Sequence, residues 1–144
     1  MSANKNRFDL ADPLVVLRLA LGLLYVPHVY YKLAGFEGSL GFFTRAGFHP
    51  ALFFLVLSLV LETACAVGLT FGILVKWVGL LSGGLMAVAA YATIMVKGPG
   101  WLWNLGGVEY LVLWGLLSVT LALHAWREER REYGHYTFFF PHAA

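Results

Sequence analysis

Four stretches of about twenty residues, each nearly free of charge, recur along this chain, and each is long enough as an α-helix to cross roughly 30 Å of hydrocarbon. They run from Pro13 to Tyr31, from Pro50 to Phe71, from Trp77 to Val96 and from about Leu105 to Trp126. With 60% of the 144 residues hydrophobic, 12% charged and a mean hydropathy of +0.73, the chain is far too apolar for a soluble domain. The expected fold is all-α, an integral membrane antiparallel four-helix bundle in one domain. An interfacial segment, 33–49, joins the first two spans, and a tail, 127–144, follows the last. So little mass lies outside the spans that function is expected in the bilayer or at its surface.

Lys5 and Arg7 precede the first span as they would in a secretory signal, but the apolar run is too long and no A-x-A-like site follows, so it reads as a retained helix. Lys5, Arg7, Lys76, Arg127, Arg130 and Arg131 fall on one side of the membrane, Arg45 and Lys97 on the other, with Lys32 narrowing the margin. That bias predicts that both termini are cytoplasmic. A net charge of +2 implies no nucleic-acid partner. The lone Cys65 can form neither an internal disulfide nor a CxxC motif. A zinc-type Cys/His cluster, a G-x-S-x-G elbow, a P-loop and a Rossmann glycine run are all missing.

The informative residues are the ionisable ones inside the spans, because each costs a few kcal/mol in lipid unless it is paired or wet. Arg18, Glu62 and Glu109 are the clear cases, with His28 and Lys32 near the far end of the first helix. Counting along the helices puts Arg18 and Glu62 close enough in depth to meet. Glu109 falls level with His28 and Lys32, suggesting a second, outer pair; Lys32 can alternatively snorkel to the interface. Arg18, Tyr25 and Lys32, spaced by seven, share one face, with His28 slightly beyond. Ser58, Glu62 and Cys65 follow the same logic on the second span, and Ser82, Met86, Ala89 and Thr93 do so more weakly on the third. The expectation is a polar seam inside the bundle. The bland reading is a lock on helix register, with Ser82, Cys65, Gly79, Gly83 and Ala87 as packing material.

A bis-His haem is disfavoured because His124 falls at the opposite end from His28. A metal held by His28, His49 and Glu109 lacks ligand spacing, so no metal site is assigned. In segment 33–49, Gly35, Gly38, Gly41 and Gly47 interrupt Phe36, Phe42, Phe43 and Phe48, a pattern suited to the interface, where it either anchors the loop or gates lateral entry of a lipid-soluble molecule. Trp101, Trp103 and Asn104 stand where belt aromatics anchor a helix; alternatively the rings, with Tyr110, wall a planar ligand above Glu109. The tail begins as a charged helical extension, Arg127 to Glu132. It ends in Tyr133, His135, Tyr136 and Phe138 to Phe140, an aromatic cluster expected to dock on the membrane or on a partner protein.

Arg18 and Gly22, then His28 followed by Lys32-Leu33, Gly35-Phe36, Gly41-Phe42 and Gly47, resemble the opening of DoxX-type membrane proteins. Glu62 with Gly68, and Gly107 with Glu109 and Tyr110, are similar to that family's later signature, so the resemblance covers nearly the whole chain. Where the family usually shows His-Gly, this chain has His28-Val29 after Pro27, a residue expected to kink the helix. The resemblance implies a four-helix inner-membrane protein of a family that includes quinone-reducing membrane subunits. The expected function is therefore a redox-system subunit binding a quinone-like headgroup in the seam, with protein partners supplying the other electron centre. Glu62 or Glu109 would move the proton, Arg18 and His28 would polarise headgroup oxygens, and Tyr25, Lys32, Trp103, Asn104 and Tyr110 would line the pocket. The competing reading is a non-catalytic assembly protein whose buried ion pairs fix the bundle.

Overall fold

The computed structural model describes residues 6–138, so Lys5 and the Phe139 and Phe140 of the aromatic tail lie outside the described residues. The elements in chain order are α1 (Pro13–Ala34), α2 (Phe36–Arg45), α3 (Ala51–Phe71), α4 (Val75–Lys97), a single 3₁₀ turn (Trp103–Leu105) and α5 (Glu109–Tyr133), with no strand among the described residues. α1, α3, α4 and α5 are each long and apolar enough to cross a membrane, as the all-α membrane bundle requires. Only 22–28% of the apolar window of each is buried inside the bundle, which leaves most of the helical surface to lipid.

Local chemistry sets several of the helix ends. The Asp12 carboxylate caps α1 by accepting the Leu14 N–H at 2.9 Å, and Pro13 occupies the first turn, where its missing N–H costs nothing. α1 continues through Pro27 as one helix. α3 stops at Gly72, whose φ of +67° is open to glycine at little cost.

Among the spans, α4 packs most extensively on α5, and α1 on α3; α3 joins the two pairs through α4, while α1 and α5 barely touch. Close approach depends on glycine. A Cβ on Gly22 would lie 2.7 Å from the Thr70 backbone nitrogen, and one on Gly79 2.7 Å from the Ser118 carbonyl oxygen. Leu21, Tyr25, Cys65, Leu69, Met86, Trp114 and Leu121 form the buried core cluster, drawn from all four spans.

α1 and α3 are staggered. With Gly22 against Leu69 and Thr70, counting at 1.5 Å per residue places Ala34 about 9 Å short of the start of α3. α2 packs chiefly on α3, which α1 leaves uncovered there, and Ser39 and Ala46 are buried beside it. Phe48 stacks its ring 5.2 Å from that of Phe54 and 6.1 Å from that of Tyr91. Segment 33–49 is thus mostly a short helix laid on the bundle.

Candidate functional site

A line of polar side chains crosses the core. The hydroxyls of Tyr25 on α1, Ser82 on α4 and Ser118 on α5 form a continuous hydrogen-bonded chain, at 2.7 Å and 2.8 Å, and all three residues are fully buried. Beside it Lys32 donates to Glu62 Oε1 in an ion pair between α1 and α3. Tyr25, His28 and Cys65 lie within electrostatic reach of that carboxylate. Of the residues expected to share a seam, Tyr25, Lys32, Glu62 and Ser82 come together.

Trp114, absent from the residues expected at the seam, is its aromatic centre. Its ring lies 4.8 Å from that of Tyr25, 5.4 Å from that of His28 and 5.6 Å from that of Tyr110. Its spacing carried the signal, since Tyr110, Trp114 and Ser118 recur every four residues on one face of α5. Among the described residues, two buried side-chain polar atoms lack a hydrogen-bond partner, Glu62 Oε2 and Trp114 Nε1. Both belong to this seam. Leaving a buried polar group unmatched costs about 1–3 kcal/mol, so both groups would gain from a polar partner.

The expected Arg18–Glu62 pair is replaced by two separate arrangements, because the stagger brings Arg18 to the end of α3 instead of its middle. Arg18 Nη1 donates to the carbonyl oxygens of Leu69 at 2.5 Å and Thr70 at 2.9 Å, and Nη2 donates to that of Arg7. The guanidinium thus satisfies the orphan carbonyls at the negative end of the α3 dipole. It lies against Gly72, where a Cβ would be 2.8 Å from Nη1. A half-open cavity beside it is lined by Asn6, Arg7, Asp9, Asp12, Val15, Arg18, Gly72 and Val75.

The expected outer pair is likewise replaced. Lys32 turns inward to Glu62 rather than snorkelling outward, and His28 sits edge-on to Trp114. Glu109, the first residue of α5, lies 3.4 Å from the Trp103 backbone N–H, which it accepts within its own loop. Trp103 and Asn104 are exposed, and Tyr110 is the one member of that group that reaches the seam. Among the described residues no three His, Cys, Asp or Glu side chains gather in a cluster able to hold a metal ion.

At the end of the bundle that carries both termini, the described part of the tail folds back onto α4. Lys76 Nζ donates to the Glu129 carboxylate at 2.8 Å and to the Thr137 carbonyl at 2.5 Å, and the Trp77 indole N–H donates to the Phe138 carbonyl at 2.6 Å. The rings of Trp77, Trp126, Tyr136 and Phe138 stack around this contact. Lys76 and Glu129 are 53 residues apart, so no local spacing reveals the pair.

Comparison with curated proteins and with solved structures returned no match. The family model for DoxX matches residues 14–97, more than half of the chain and nearly all of α1 to α4, including Glu62, Lys32, Tyr25 and Ser82. On that match the chain, a multi-pass helical membrane protein, belongs to the DoxX family.

Proposed function

We propose that this chain is an inner-membrane subunit of a redox system that binds a quinone-like headgroup in the seam between α1, α3 and α5. The observation that carries the reading is the Glu62 carboxylate, paired with Lys32 on one oxygen, unpartnered on the other and buried among apolar spans. A buried carboxylate beside a cation is suited to proton transfer, and an intramembrane ion pair is a functional candidate by default. Reducing a quinone to its quinol takes two electrons and two protons. A soluble electron-transfer partner supplies the two electrons, and the two protons come from water through Glu62 Oε2, which takes up each in turn and hands it to a headgroup oxygen. His28 and Lys32 polarise headgroup oxygens, and Tyr25 and Tyr110 wall the ring. Glu109, Trp103 and Asn104 form the rim of the bundle on the opposite side from the termini, and Arg18 serves architecture. Arg7, Lys76, Arg127, Arg130 and Arg131 all belong to the terminal end of the bundle, which supports cytoplasmic termini.

The test is binding of a short-chain quinone analogue to the protein in nanodiscs, followed by tryptophan quenching. Saturable binding that weakens at least about tenfold in Glu62→Gln supports the reading, a loss equivalent to about 1.4 kcal/mol. Absence of saturation in the natural protein defeats it. A second reading, a non-catalytic assembly protein, draws support from Arg18 and Lys76, whose charges are satisfied by backbone carbonyls and by Glu129 in ways that hold elements together. It predicts stoichiometric co-purification with client proteins and indifference to Glu62→Gln.

A further inference from the structure

Trp114 is 3% exposed, and its indole N–H finds no acceptor. Tryptophan inside a protein usually satisfies that donor, because the group is strongly polar and the surrounding ring is not. Here the N–H is stranded among Tyr25, His28 and Tyr110, beside the seam that also holds the unpartnered Glu62 Oε2. One orphan is a donor and the other an acceptor. A ligand that satisfies both has one oxygen that accepts from Trp114 and a second that shares a proton with Glu62, a hydroxyl in the quinol or a carbonyl facing the protonated carboxyl in the quinone, on a ring thin enough to lie among aromatic walls.

α5 packs broadly on α4 but touches α1 only lightly, so the α1–α5 border beside Trp114 is loosely closed. On that border His28 is exposed, an unusual position for an imidazole in a membrane span, and Tyr110 is 40% exposed. The two polar rings bracket Trp114 from α1 and α5, so the route from the bilayer to the orphan N–H passes between them.

We propose that Trp114 donates its indole N–H to an oxygen of the lipid-soluble ligand, which enters from the bilayer between α1 and α5. This rests on the quinone reading above and adds the residue that orients the headgroup and the side from which it arrives. The ligand class is a ring carrying oxygens on opposite edges, with one oxygen on Trp114 and the other facing Glu62. Trp114 is a positioning and binding residue in this scheme, and no proton leaves it.

The experiment uses full-length protein with ¹⁵N-labelled tryptophan in nanodiscs, titrated with a short-chain ubiquinone analogue, the Trp114 indole signal being assigned by elimination from single phenylalanine replacements of Trp77, Trp101, Trp103 and Trp126. The expected result is a downfield move of the Trp114 indole proton that saturates with binding, together with an affinity loss of about tenfold in Trp114→Phe, the loss expected for one hydrogen bond. If the natural protein binds the analogue while the Trp114 signal stays still, the donor role is overturned and the quinone reading stands. A Trp114 signal that is already downfield without analogue and does not move marks a resident water as its acceptor, and overturns the role equally. If the natural protein binds no analogue at all, the quinone reading itself fails. The signal is read in the natural protein, so the test holds even if Trp114→Phe folds poorly.

Discussion

Replacing Lys32 by Met leaves the Glu62 carboxylate, 10% exposed, without the cation that pairs with it. Breaking a buried ion pair by deleting one partner costs about 3–5 kcal/mol, because the survivor stays charged in a medium that solvates it poorly. The reverse change, Glu62→Gln, is expected to cost less, about 2–3 kcal/mol. Lys32 is 19% exposed at the end of α1 and its long stem can swing toward the interface once released. Removing both charges together in Lys32→Met/Glu62→Gln returns stability to within about 1 kcal/mol of the natural protein, since no buried charge is left over. Reversible unfolding in mixed detergent and SDS micelles, followed by far-UV circular dichroism, gives all four corners of the cycle. A double variant as unstable as the sum of the two single ones would show that the charges do not interact, and the seam as drawn would be wrong.

Gly22→Ala is expected to lower stability by about 1–3 kcal/mol in the same assay, because the new methyl meets the backbone of Thr70, whereas Gly84→Ala, with nothing within 4 Å, should be neutral or stabilising. Tyr25→Phe removes the hydroxyl at the head of the Tyr25–Ser82–Ser118 chain and should cost about 1 kcal/mol, with Ser82 still bonded to Ser118; a loss below about 0.3 kcal/mol would deny the chain any energetic role. Lys76→Met should free the tail from α4, seen as faster hydrogen exchange of the Thr137 amide, which now donates to Glu129 at 2.9 Å, while exchange in α3 stays unchanged.

The spans were legible because lipid imposes a simple requirement of length and apolarity, and Glu62, Tyr25 and Ser82 were legible because a polar group inside such a span has few places to point. Partner choice was not. Depth counting assumes that helices share a common centre, and α1 is shifted relative to α3 by the Gly22–Thr70 approach. That shift hands Arg18 to the carbonyl end of α3 and brings Lys32, rather than Arg18, to Glu62. Trp114 was legible as a position, on the face it shares with Tyr110 and Ser118, but not as a polar group, since a tryptophan in an apolar helix reads as packing until its N–H is found without an acceptor. The helical extension from Arg127 to Glu132 was legible, but not that it brings Glu129 to Lys76, because a charged run reads as a solvated face.

The Arg18 clamp constrains how the chain settles into a bilayer as it is synthesised. Its acceptors on α3 lie 51 and 52 residues downstream, so α1 reaches the insertion machinery before any of the α3 carbonyls that will hold its guanidinium exist. An arginine at the centre of a helix opposes insertion by about 2.5–3.5 kcal/mol, and near a helix end the opposition is weaker but still present. α1 is apolar enough to span by itself, but until α3 follows it carries an arginine penalty that its apolar residues must outweigh. The clamp on α3 removes that penalty, so α1 is expected to insert more efficiently when α3 follows it than when it is made alone.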